Sequence, residues 1–310
     1  MTRAGFAAII GAPNAGKSTL VNRLVGAKIS IVTQKVQTTR FPVRGVAMEG
    51  DTQIVLVDTP GVFKPRRRLD RAMVRAAWAG AEDADAVVHL VDVQAELAVA
   101  EGGGKAADRR CVDDTRTISE GLNASPRKAI LALNKIDGVK RESLLALSER
   151  LFALGVYSEV FMISAANGSG VDDLKRRLAE LMPEGPWLFP ADQTADMPVR
   201  LLAAEITREK LYLRVHEELP YSAAVETTAF EERPDGSVRI EQTVYVEREG
   251  HRPIILGKAG QTAKWIGQKS REELTEILAR PVHLFLHVKV DPKWQDRREH
   301  YTGVGLEFDA

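Results

Sequence analysis

The chain has 310 residues, of which 44% are hydrophobic and 28% are charged, and its 43 basic and 43 acidic side chains give a formal net charge of zero. This balance is typical of a globular protein of about two domains. It excludes a global electrostatic attraction to nucleic acid or membrane, so any nucleic-acid site must be a local patch. The single cysteine, Cys111, excludes an intramolecular disulfide and a multi-cysteine metal site.

The distribution of apolar residues predicts where the protein is found. The N-terminal apolar run is too short for the core of a signal peptide. No stretch approaches the roughly 20 apolar residues that cross a bilayer. A single cysteine also fits a reducing compartment. We therefore expect a cytoplasmic protein.

Residues 1–182 alternate short apolar runs with longer helical patterns. Strands are predicted at Phe6–Ile10, Val43–Met48, Ile54–Val57, Ala86–Val91, Ala129–Leu133 and Val160–Ile163, and helices at roughly Lys17–Gly26, Leu69–Gly80, Glu142–Gly155 and Val171–Leu181. This alternation predicts a doubly wound α/β domain with a mostly parallel sheet. Ligands of such sheets bind beyond the carboxyl ends of the strands, which is where each motif below falls.

The first strand runs into Gly11–Ser18, whose sequence GAPNAGKS is a G-x-x-x-x-G-K-S motif between a strand and a helix. Its glycines let the backbone approach a phosphate, and the helix N-terminus adds positive potential. Lys17 is expected to reach the β- and γ-phosphates, and Ser18 to offer its hydroxyl to Mg²⁺. The residues assigned to phosphate binding are Asn14, Ala15, Gly16, Lys17, Ser18 and Thr19. The motif predicts a nucleoside triphosphate without specifying the base.

Two further loops belong to the predicted phosphate site. The polar segment 34–40 has little periodicity and reads as an exposed loop that carries Thr38 and Thr39. After the Ile54–Val57 strand comes the sequence DTPG, in which Asp58 can hold Mg²⁺, usually through water. The N–H of Gly61 can contact a γ-phosphate oxygen.

The base is predicted by the loop Asn134–Asp137, with sequence NKID, which follows the Ala129–Leu133 strand. An ionised carboxylate accepts two hydrogen bonds, and guanine offers N1–H and its exocyclic amine side by side. Asp137 therefore selects guanine, while Asn134 ties the loops together and the Lys135 stem covers the ring. After the next strand come Ser164, Ala165 and Ala166, where the N–H of Ala165 is expected to approach guanine O6.

Residues 94–125 contain three consecutive glycines within Glu101–Lys105, and these interrupt any helix. We predict a flexible loop followed by a helix around Ala106–Leu122. A tolerated surface insertion is the favoured interpretation of this segment.

The second half of the chain has a different order of elements. Residues 183–198 are rich in proline and polar residues and read as a linker with some anchoring aromatics. The predicted order is then α-β-β-α-α-β: a helix from 199 to Leu219-Pro220, strands at Ala223–Glu231 and Ser237–Glu247 joined by Pro234–Gly236, a segment Pro253–Leu256, the tetrapeptide GKAG at Gly257–Gly260, a helix to about Ala279 and a strand at Val282–Val290.

A G-x-x-G tetrapeptide between two helices, after a β-hairpin, is the loop with which a KH domain clamps about four nucleotides. The stretch from Arg252 to Arg271 has five basic and no acidic residues, so it is a local electrostatic footprint. The residues assigned to RNA binding are Arg252, Ile254, Ile255, Gly257, Lys258, Ala259, Gly260, Lys264, Ile266 and Lys269, with the three isoleucines as an apolar floor for bases. A helix-turn-helix with a solvated basic face is the alternative interpretation.

Together the two halves resemble the Era family of bacterial ribosome-assembly GTPases over nearly the whole chain. The resemblance is carried by Gly11–Ser18, Gln37–Arg40, Asp58–Gly61, Asn134–Asp137 and Ser164–Ala166, and in the second half by Glu205–Lys210, Glu218–Ser222, Val246–Gly250, Gly257–Gly260 and Pro281–Leu284. It implies a P-loop GTPase domain followed by an α+β type II KH domain. It also implies Mg²⁺-dependent hydrolysis of GTP to GDP, binding of 16S rRNA near its 3′ end, and a role in assembly of the 30S subunit.

The resemblance also assigns residues. It implies Lys17, Thr39 and Gly61 as catalytic residues, and Ser18, Thr39 and Asp58 as the Mg²⁺ site, with Thr39 preferred over Thr38 by family pattern alone. The residue after DTPG is Val62 and not the glutamine that orients water in Ras. Several members of the branch with a hydrophobic residue there bind K⁺ through the P-loop asparagine, here Asn14.

Two departures from the family pattern are the longer segment after Asp92 and Phe41, where a polar residue often sits. Neither is expected to touch the nucleotide motifs. The domains implied are 1–182 for GTP binding, 183–198 as linker, 199–300 as KH domain and 301–310 as tail. We expect a monomer that partners 16S rRNA and the 30S subunit, with peripheral contact to the inner face of the cell membrane as a further expectation.

Two rival functions use the same motifs. A P-loop kinase leaves the NKID loop and the second domain unexplained, and competition of GTP binding by ATP would reveal it. A membrane-peripheral GTP-dependent signalling protein without RNA binding would need an amphipathic basic helix, and none is evident beyond 252–271. A comparison of binding to single-stranded RNA with binding to anionic vesicles would distinguish this function from that of an RNA-binding GTPase.

Overall fold

A computed structural model describes residues 1–33, 35, 37–125, 127–215 and 222–309. The chain forms two compact units, Met1–Asp196 with Val304–Ala310, and Met197–Gly303. Within the described ranges, no helix combines the length and the apolar character needed to cross a bilayer.

The first unit is built on a seven-stranded sheet. Its strands are β1 (Arg3–Gly11), β2 (Val43–Glu49), β3 (Thr52–Asp58), β4 (Ala86–Asp92), β5 (Ala129–Asn134), β6 (Tyr157–Met162) and β7 (Ala195–Asp196). Its helices are α1 (Lys17–Val25), α2 (Arg68–Glu82), α3 (Val93–Ala100), α4 (Ala106–Leu122), α5 (Arg141–Phe152) and α6 (Val171–Leu181).

The strand order β6-β5-β4-β1-β3-β2-β7 places β1 inside the sheet. Pairs from β3 through β1, β4 and β5 to β6 are parallel, whereas β2 pairs antiparallel with both β3 and β7. All residues of β3, β4 and β5 are buried, which explains their continuous apolar runs. The predicted doubly wound, mostly parallel sheet is confirmed, and the carboxyl ends of β1, β3, β5 and β6 meet at one edge.

The segment after β4 differs from its prediction. Residues 93–100 form α3 instead of a loop. The Asp92 carboxylate caps this helix by accepting the N–H groups of Gln94 (3.0 Å) and Ala95 (3.2 Å), and Val93 and Ala95 are buried. The glycines form the turn that follows, with Gly102 and Gly104 both at φ 77°. The predicted helix at Ala106–Leu122 is confirmed as α4.

Most of the predicted linker, 183–198, is part of the first unit. Gln53 of β3 holds it, since Gln53 Oε1 accepts the N–H groups of Leu188 (2.8 Å) and Phe189 (2.9 Å), and its amide donates to the Phe189 carbonyl at 2.8 Å. The Trp187 indole donates to the Asp51 carbonyl at 3.0 Å. These contacts lead the chain into β7, so the sheet gains an edge strand from residues that the sequence suggests as connection.

The second unit has the predicted α-β-β-α-α-β order. Its elements are α7 (Val199–Arg214), β8 (Ala223–Glu232), β9 (Val238–Val246), α8 (His251–Leu256), α9 (Gln261–Leu278), β10 (Val282–Val290) and α10 (Glu299–Thr302). The sheet order is β10-β9-β8, with β9 antiparallel to β8 and parallel to β10. The predicted end of the first helix at Leu219-Pro220, and the Glu218–Tyr221 part of the family motif, lie outside the described residues.

The predicted tail, 301–310, divides between the two units at Gly303 and Val304. Beyond that point it packs on α2 of the first unit. Glu307 pairs with Arg75 at 2.9 Å, the Arg68 guanidinium lies 4.5 Å from the centre of the Phe308 ring, and Leu306 is buried. The last residues of the chain therefore belong to the first compact unit.

Candidate functional site

The loop Gly11–Ser18 curls between β1 and α1. Gly16 has φ 100°, and a Cβ at Gly11 would lie 2.5 Å from the Leu90 carbonyl oxygen, so both glycines are required by the backbone. Lys17 is buried inside the curl and donates to the carbonyls of Gly11 (3.1 Å) and Ala12 (2.9 Å). Burial lowers the pKa of Lys17 to about 8. The loop thus surrounds a cationic group, as an anion site requires.

Three oxygen-bearing side chains converge beside this loop. Ser18 Oγ lies 2.7 Å from Asp58 Oδ2 and 2.9 Å from Thr39 Oγ1, and the Thr39 hydroxyl donates to Asp58 Oδ2 at 3.2 Å. Asp58 is fully buried, and its Oδ1 accepts no hydrogen bond from the residues that the structure describes. Burial raises the pKa of Asp58, opposed by the Ser18 hydroxyl and the Lys17 charge. Two hydroxyls and a buried carboxylate with a spare oxygen suit a hard cation such as Mg²⁺.

The structure separates the two candidate threonines. Thr38 Oγ1 lies 2.6 Å from Thr33 Oγ1 and donates to the Lys35 carbonyl at 2.7 Å, so its hydroxyl has partners within its own loop. Thr39, by contrast, contacts both Ser18 and Asp58. Gln34 and Val36 of this loop lie outside the described residues.

The loop after β3 lies against the loop after β1. A Cβ at Gly61 would stand 2.9 Å from the Pro13 side chain and 3.0 Å from its backbone nitrogen, which explains the glycine. The N–H of Val62 donates to the Gly11 carbonyl at 3.2 Å, and its side chain is buried. Val62 therefore packs in the core and offers no polar group at this position.

A hydrogen-bonded chain connects the two loops that are predicted to sense the γ-phosphate. The Gln37 amide donates to Asp70 Oδ1 at 3.0 Å. Asp70 Oδ2 accepts the N–H groups of Arg66 and Arg67, both at 3.0 Å, just before α2. One buried carboxylate thus fixes the N-terminus of α2 and contacts the Thr33–Arg40 segment.

Asn134 joins the loops that follow three parallel strands. Its amide donates to the Ala15 carbonyl at 2.7 Å, and its Oδ1 accepts the N–H of Ala165 at 2.9 Å. A Cβ at Gly16 would stand 2.4 Å from the Asn134 amide nitrogen. Asn134 thus engages the Ala165 N–H, the group that is predicted to approach guanine O6.

Asp137 is exposed at the same edge of the sheet. Its Oδ1 accepts the Ser164 hydroxyl at 2.5 Å, and this hydrogen bond lowers the pKa of Asp137. The carboxylate is therefore ionised at neutral pH and presents a pure acceptor to a base.

Sequence reasoning missed a contact from α1 to the Ser164–Ala166 loop. Arg23 donates from Nε to the Ala165 carbonyl at 2.6 Å and from Nη2 to the Ala166 carbonyl. Its guanidinium passes close to Gly168, where an added Cβ would lie 3.0 Å from Nη1. No local pattern marks Arg23, since its partners lie more than a hundred residues further along the chain.

The segment after Asp92 also touches a nucleotide motif, contrary to prediction. Lys135 Nζ lies 2.5 Å from Asp92 Oδ2, and the Gln94 amide contacts the backbone of the NKID loop. The prediction failed because the segment was interpreted as an insertion that leaves the sheet, whereas Asp92 and Gln94 begin a helix capped at that edge.

In the second unit, the loop Gly257–Gly260 leads from α8 into α9. Gly257 has φ 72° and Gly260 φ 76°, and Ala259 is also left-handed at φ 52°. A Cβ at Gly257 would lie 2.3 Å from the Thr262 hydroxyl, whereas one at Gly260 would meet nothing. The loop therefore exposes backbone where side chains are small or absent.

The basic residues near this loop are mostly available to solvent. Arg252, Lys258 and Lys264 are exposed, while Lys269 pairs with Glu272 at 2.8 Å. The predicted apolar floor is wrong for two of its three residues. Ile255 and Ile266 are each 1% exposed and pack in the core, because α8 and α9 turn these positions inward; Ile254, one residue away on α8, is 53% exposed.

The chain matches two family models. Residues 6–135 match a model described as a 50S ribosome-binding GTPase, and residues 218–295 match one described as a KH domain. The two models fall on the two halves that the motifs distinguish. The fold and the motifs thus agree on a P-loop GTPase domain followed by a KH domain.

Relatives extend the similarity to the whole chain. GTPase Era of Caulobacter vibrioides (strain NA1000 / CB15N) is 72% identical over 309 residues, which cover 100% of this chain and 98% of that protein. GTPase Era of Maricaulis maris is 61% identical over 308 residues, covering 99% and 98%.

Two solved structures are similar as well, each 36% identical and covering 98% of this chain and 99% of the other. One is an Aquifex aeolicus Era variant bound to GDP·AlF4⁻, at a TM-score of 0.84. The other is Era in complex with MgGDPNP and nucleotides 1506–1542 of 16S ribosomal RNA, at a TM-score of 0.85. With its P-loop, its NKID loop and its G-x-x-G turn in one chain, this protein belongs to the Era family of GTPases.

Proposed function

We propose that this protein is a GTP-hydrolysing switch that binds 16S rRNA near its 3′ end and assists assembly of the 30S subunit. The observation that carries the proposal is the convergence of the loops after β1, α1, β3, β5 and β6 at one edge of the sheet. The similar Era structure that holds MgGDPNP and 16S rRNA supports both ligands.

In this proposal the nucleotide lies along that edge. The phosphates bind Asn14–Thr19 and the N–H of Gly61, and the guanine binds Asn134, Lys135, Asp137 and the Ser164–Ala166 loop. Mg²⁺ is held by the hydroxyls of Ser18 and Thr39, with Asp58 acting directly or through water. Bound Mg²⁺ offsets negative charge on the phosphate oxygens. Lys17, Thr39 and Gly61 then act by position and electrostatics, since Val62, at the position of the Ras glutamine, is an apolar and buried residue.

The first prediction separates the two threonines. Thr39→Ala removes a hydroxyl that contacts Ser18 and Asp58. GTP hydrolysis should therefore slow by about 10–100-fold, which corresponds to the loss of one hydrogen bond to a charged group, and should require a higher Mg²⁺ concentration. Thr38→Ala is the matched control, because its partners are Thr33 and Lys35. Hydrolysis rates against Mg²⁺ concentration measure both variants, and a larger effect at Thr38 would contradict the assignment.

The second prediction concerns the base. Asp137→Asn replaces one acceptor with a donor, so GTP affinity should fall by about 100-fold while xanthosine triphosphate, whose C2 carbonyl accepts, should gain. Asp235→Asn is a matched control, since Asp235 also accepts a serine hydroxyl, that of Ser237, but in the second unit. Competition binding of the two nucleotides is the measurement. Unchanged GTP affinity in Asp137→Asn would refute the role of Asp137.

The third prediction concerns monovalent cations. We propose that K⁺ binds beside the phosphates with Asn14 among its ligands, which offsets charge that an arginine finger would otherwise neutralise. Hydrolysis should then be several-fold faster in KCl than in NaCl of equal concentration. Asn14→Gly keeps the left-handed backbone (φ 64°) but should abolish the difference. Equal rates in the two salts for the unaltered protein would exclude this role of K⁺.

RNA binding is assigned to the second unit. The backbone of Gly257–Gly260 would clamp the phosphates of a single strand, and Arg252, Lys258 and Lys264 would add electrostatic attraction. Ile254 is exposed and could contact a base, whereas Ile255 and Ile266 act through the core. The assigned set also includes Ala259 and Lys269, and Lys269 forms an ion pair with Glu272.

The fourth prediction tests this loop. Gly260→Asp places a negative group where a Cβ has open space, so affinity for a 3′-terminal 16S RNA fragment should fall by about tenfold or more. Gly236→Asp is the matched control: it has φ 80°, equally open space, and a place in the β8–β9 turn. GTP affinity should stay unchanged in both. An equal loss of RNA binding in both variants would show that strain, and not the loop, is responsible.

Three parts of the proposal stay predictions of the sequence: the cytoplasmic location, the monomeric state and the peripheral contact with a membrane.

A further inference from the structure

The turn after β4 contacts the NKID loop, which is proposed to select guanine. The Gln94 side-chain amide donates to two backbone carbonyls of that loop, those of Lys135 and Asp137, both at 3.2 Å. From the same turn, Asp92 contacts the Lys135 ammonium at 2.5 Å. The turn and the loop are thus joined by three contacts over a separation of about forty residues in the chain.

The loop needs such a partner, because its backbone is strained. Lys135 has φ 67°, a left-handed conformation that residues other than glycine rarely adopt. This conformation sets the direction in which the Lys135 carbonyl points. The Gln94 amide lies in that direction and donates a hydrogen bond to the carbonyl. Without a donor at this place, the carbonyl would lose a partner that favours the strained geometry over a relaxed one.

Gln94 is itself well fixed. Its backbone N–H donates to Asp92 Oδ1 at 3.0 Å in the cap of α3. Further along α3, Glu96 pairs with Arg150 of α5 at 2.7 Å, which anchors the helix on the element that follows the NKID loop. The donor therefore projects from an ordered helix N-terminus and not from a free loop.

Asp137 is consequently held at two points. Gln94 fixes its carbonyl, and the Ser164 hydroxyl fixes its carboxylate. Both points are needed, because a carboxylate can accept from guanine N1–H and the 2-amino group together only in one orientation. Asp137 is exposed, so packing does not supply that orientation.

We propose that Gln94 is a positioning residue for base selectivity: it holds Lys135 and Asp137 so that the Asp137 carboxylate discriminates guanine from bases that lack the 2-amino group. Gln94 does this through the loop. The inference rests on the proposed function, since it deepens the guanine site.

The test replaces Gln94 by methionine, which keeps the length of the side chain and removes its donors. Equilibrium affinities are measured for GDP and for inosine diphosphate, which lacks the 2-amino group. In Gln94→Met the preference for GDP over inosine diphosphate should fall by about fivefold. This is the effect expected when the free energy of one neutral hydrogen bond no longer helps to orient Asp137 toward the base. A general loosening of the site would instead weaken both nucleotides equally and leave the ratio unchanged, and that result would overturn the proposal.

A matched control comes from Gln193. Its amide donates to the Ala195 carbonyl at 2.9 Å, the same kind of bond, at the edge of the sheet formed by β7. Gln193→Met should leave the nucleotide ratio unchanged. An equal fall in both variants would also overturn the proposal, because the effect would then not come from the NKID loop.

A double-mutant cycle with Asp137→Asn identifies the route. If Gln94 acts through Asp137, Gln94→Met should not change the ratio further once the carboxylate is gone. A full additional effect in that background would overturn the proposed route. Failure of the parent hypothesis looks different: the unaltered protein would then show no preference for GDP over ADP.

Discussion

The side chain of Asn134 is the contact on which the nucleotide site most depends. Three loops that are distant in sequence meet at its amide, which donates to Ala15 and accepts from Ala165. The amide fits only because Gly16 has no Cβ, which would come within 2.4 Å of it. Gly16 is therefore required by Asn134 as well as by its own left-handed backbone, and the loops after β1 and β5 share one steric constraint.

A second constraint is electrostatic. Asp58 is buried with a raised pKa, beside two hydroxyls and the buried ammonium of Lys17. Taking a carboxylate out of water is costly unless charge and donors compensate it. Here one oxygen accepts both hydroxyls, while the other has no hydrogen-bond partner among the described residues. Such an arrangement is poorly suited to stability alone, but it is suited to receiving a cation together with an anionic ligand.

What the sequence predicts well is local. The strand, glycine turn and helix around Lys17 follow from a contiguous motif, and the α-β-β-α-α-β order follows from periodicity and turn residues. What it misses depends on distant partners. Arg23 reaches Ala165 from α1, and the tetrapeptide context alone could not show that Ile255 faces the core while Ile254 faces solvent. The glycine run after Glu101 also hides α3, which the Asp92 cap and the burial of Val93 and Ala95 stabilise.

The return of residues 304–310 to the first unit has a mechanical consequence. Residues 1–196 and 304–310 belong to one unit, so the chain passes between the two units twice. The contacts of the tail include an exposed ion pair, an arginine–aromatic contact and one buried leucine, and an exposed ion pair adds little to stability. Because it is tethered close to α10, a detached tail would rebind at a high effective concentration. Release of the tail would therefore be brief and reversible.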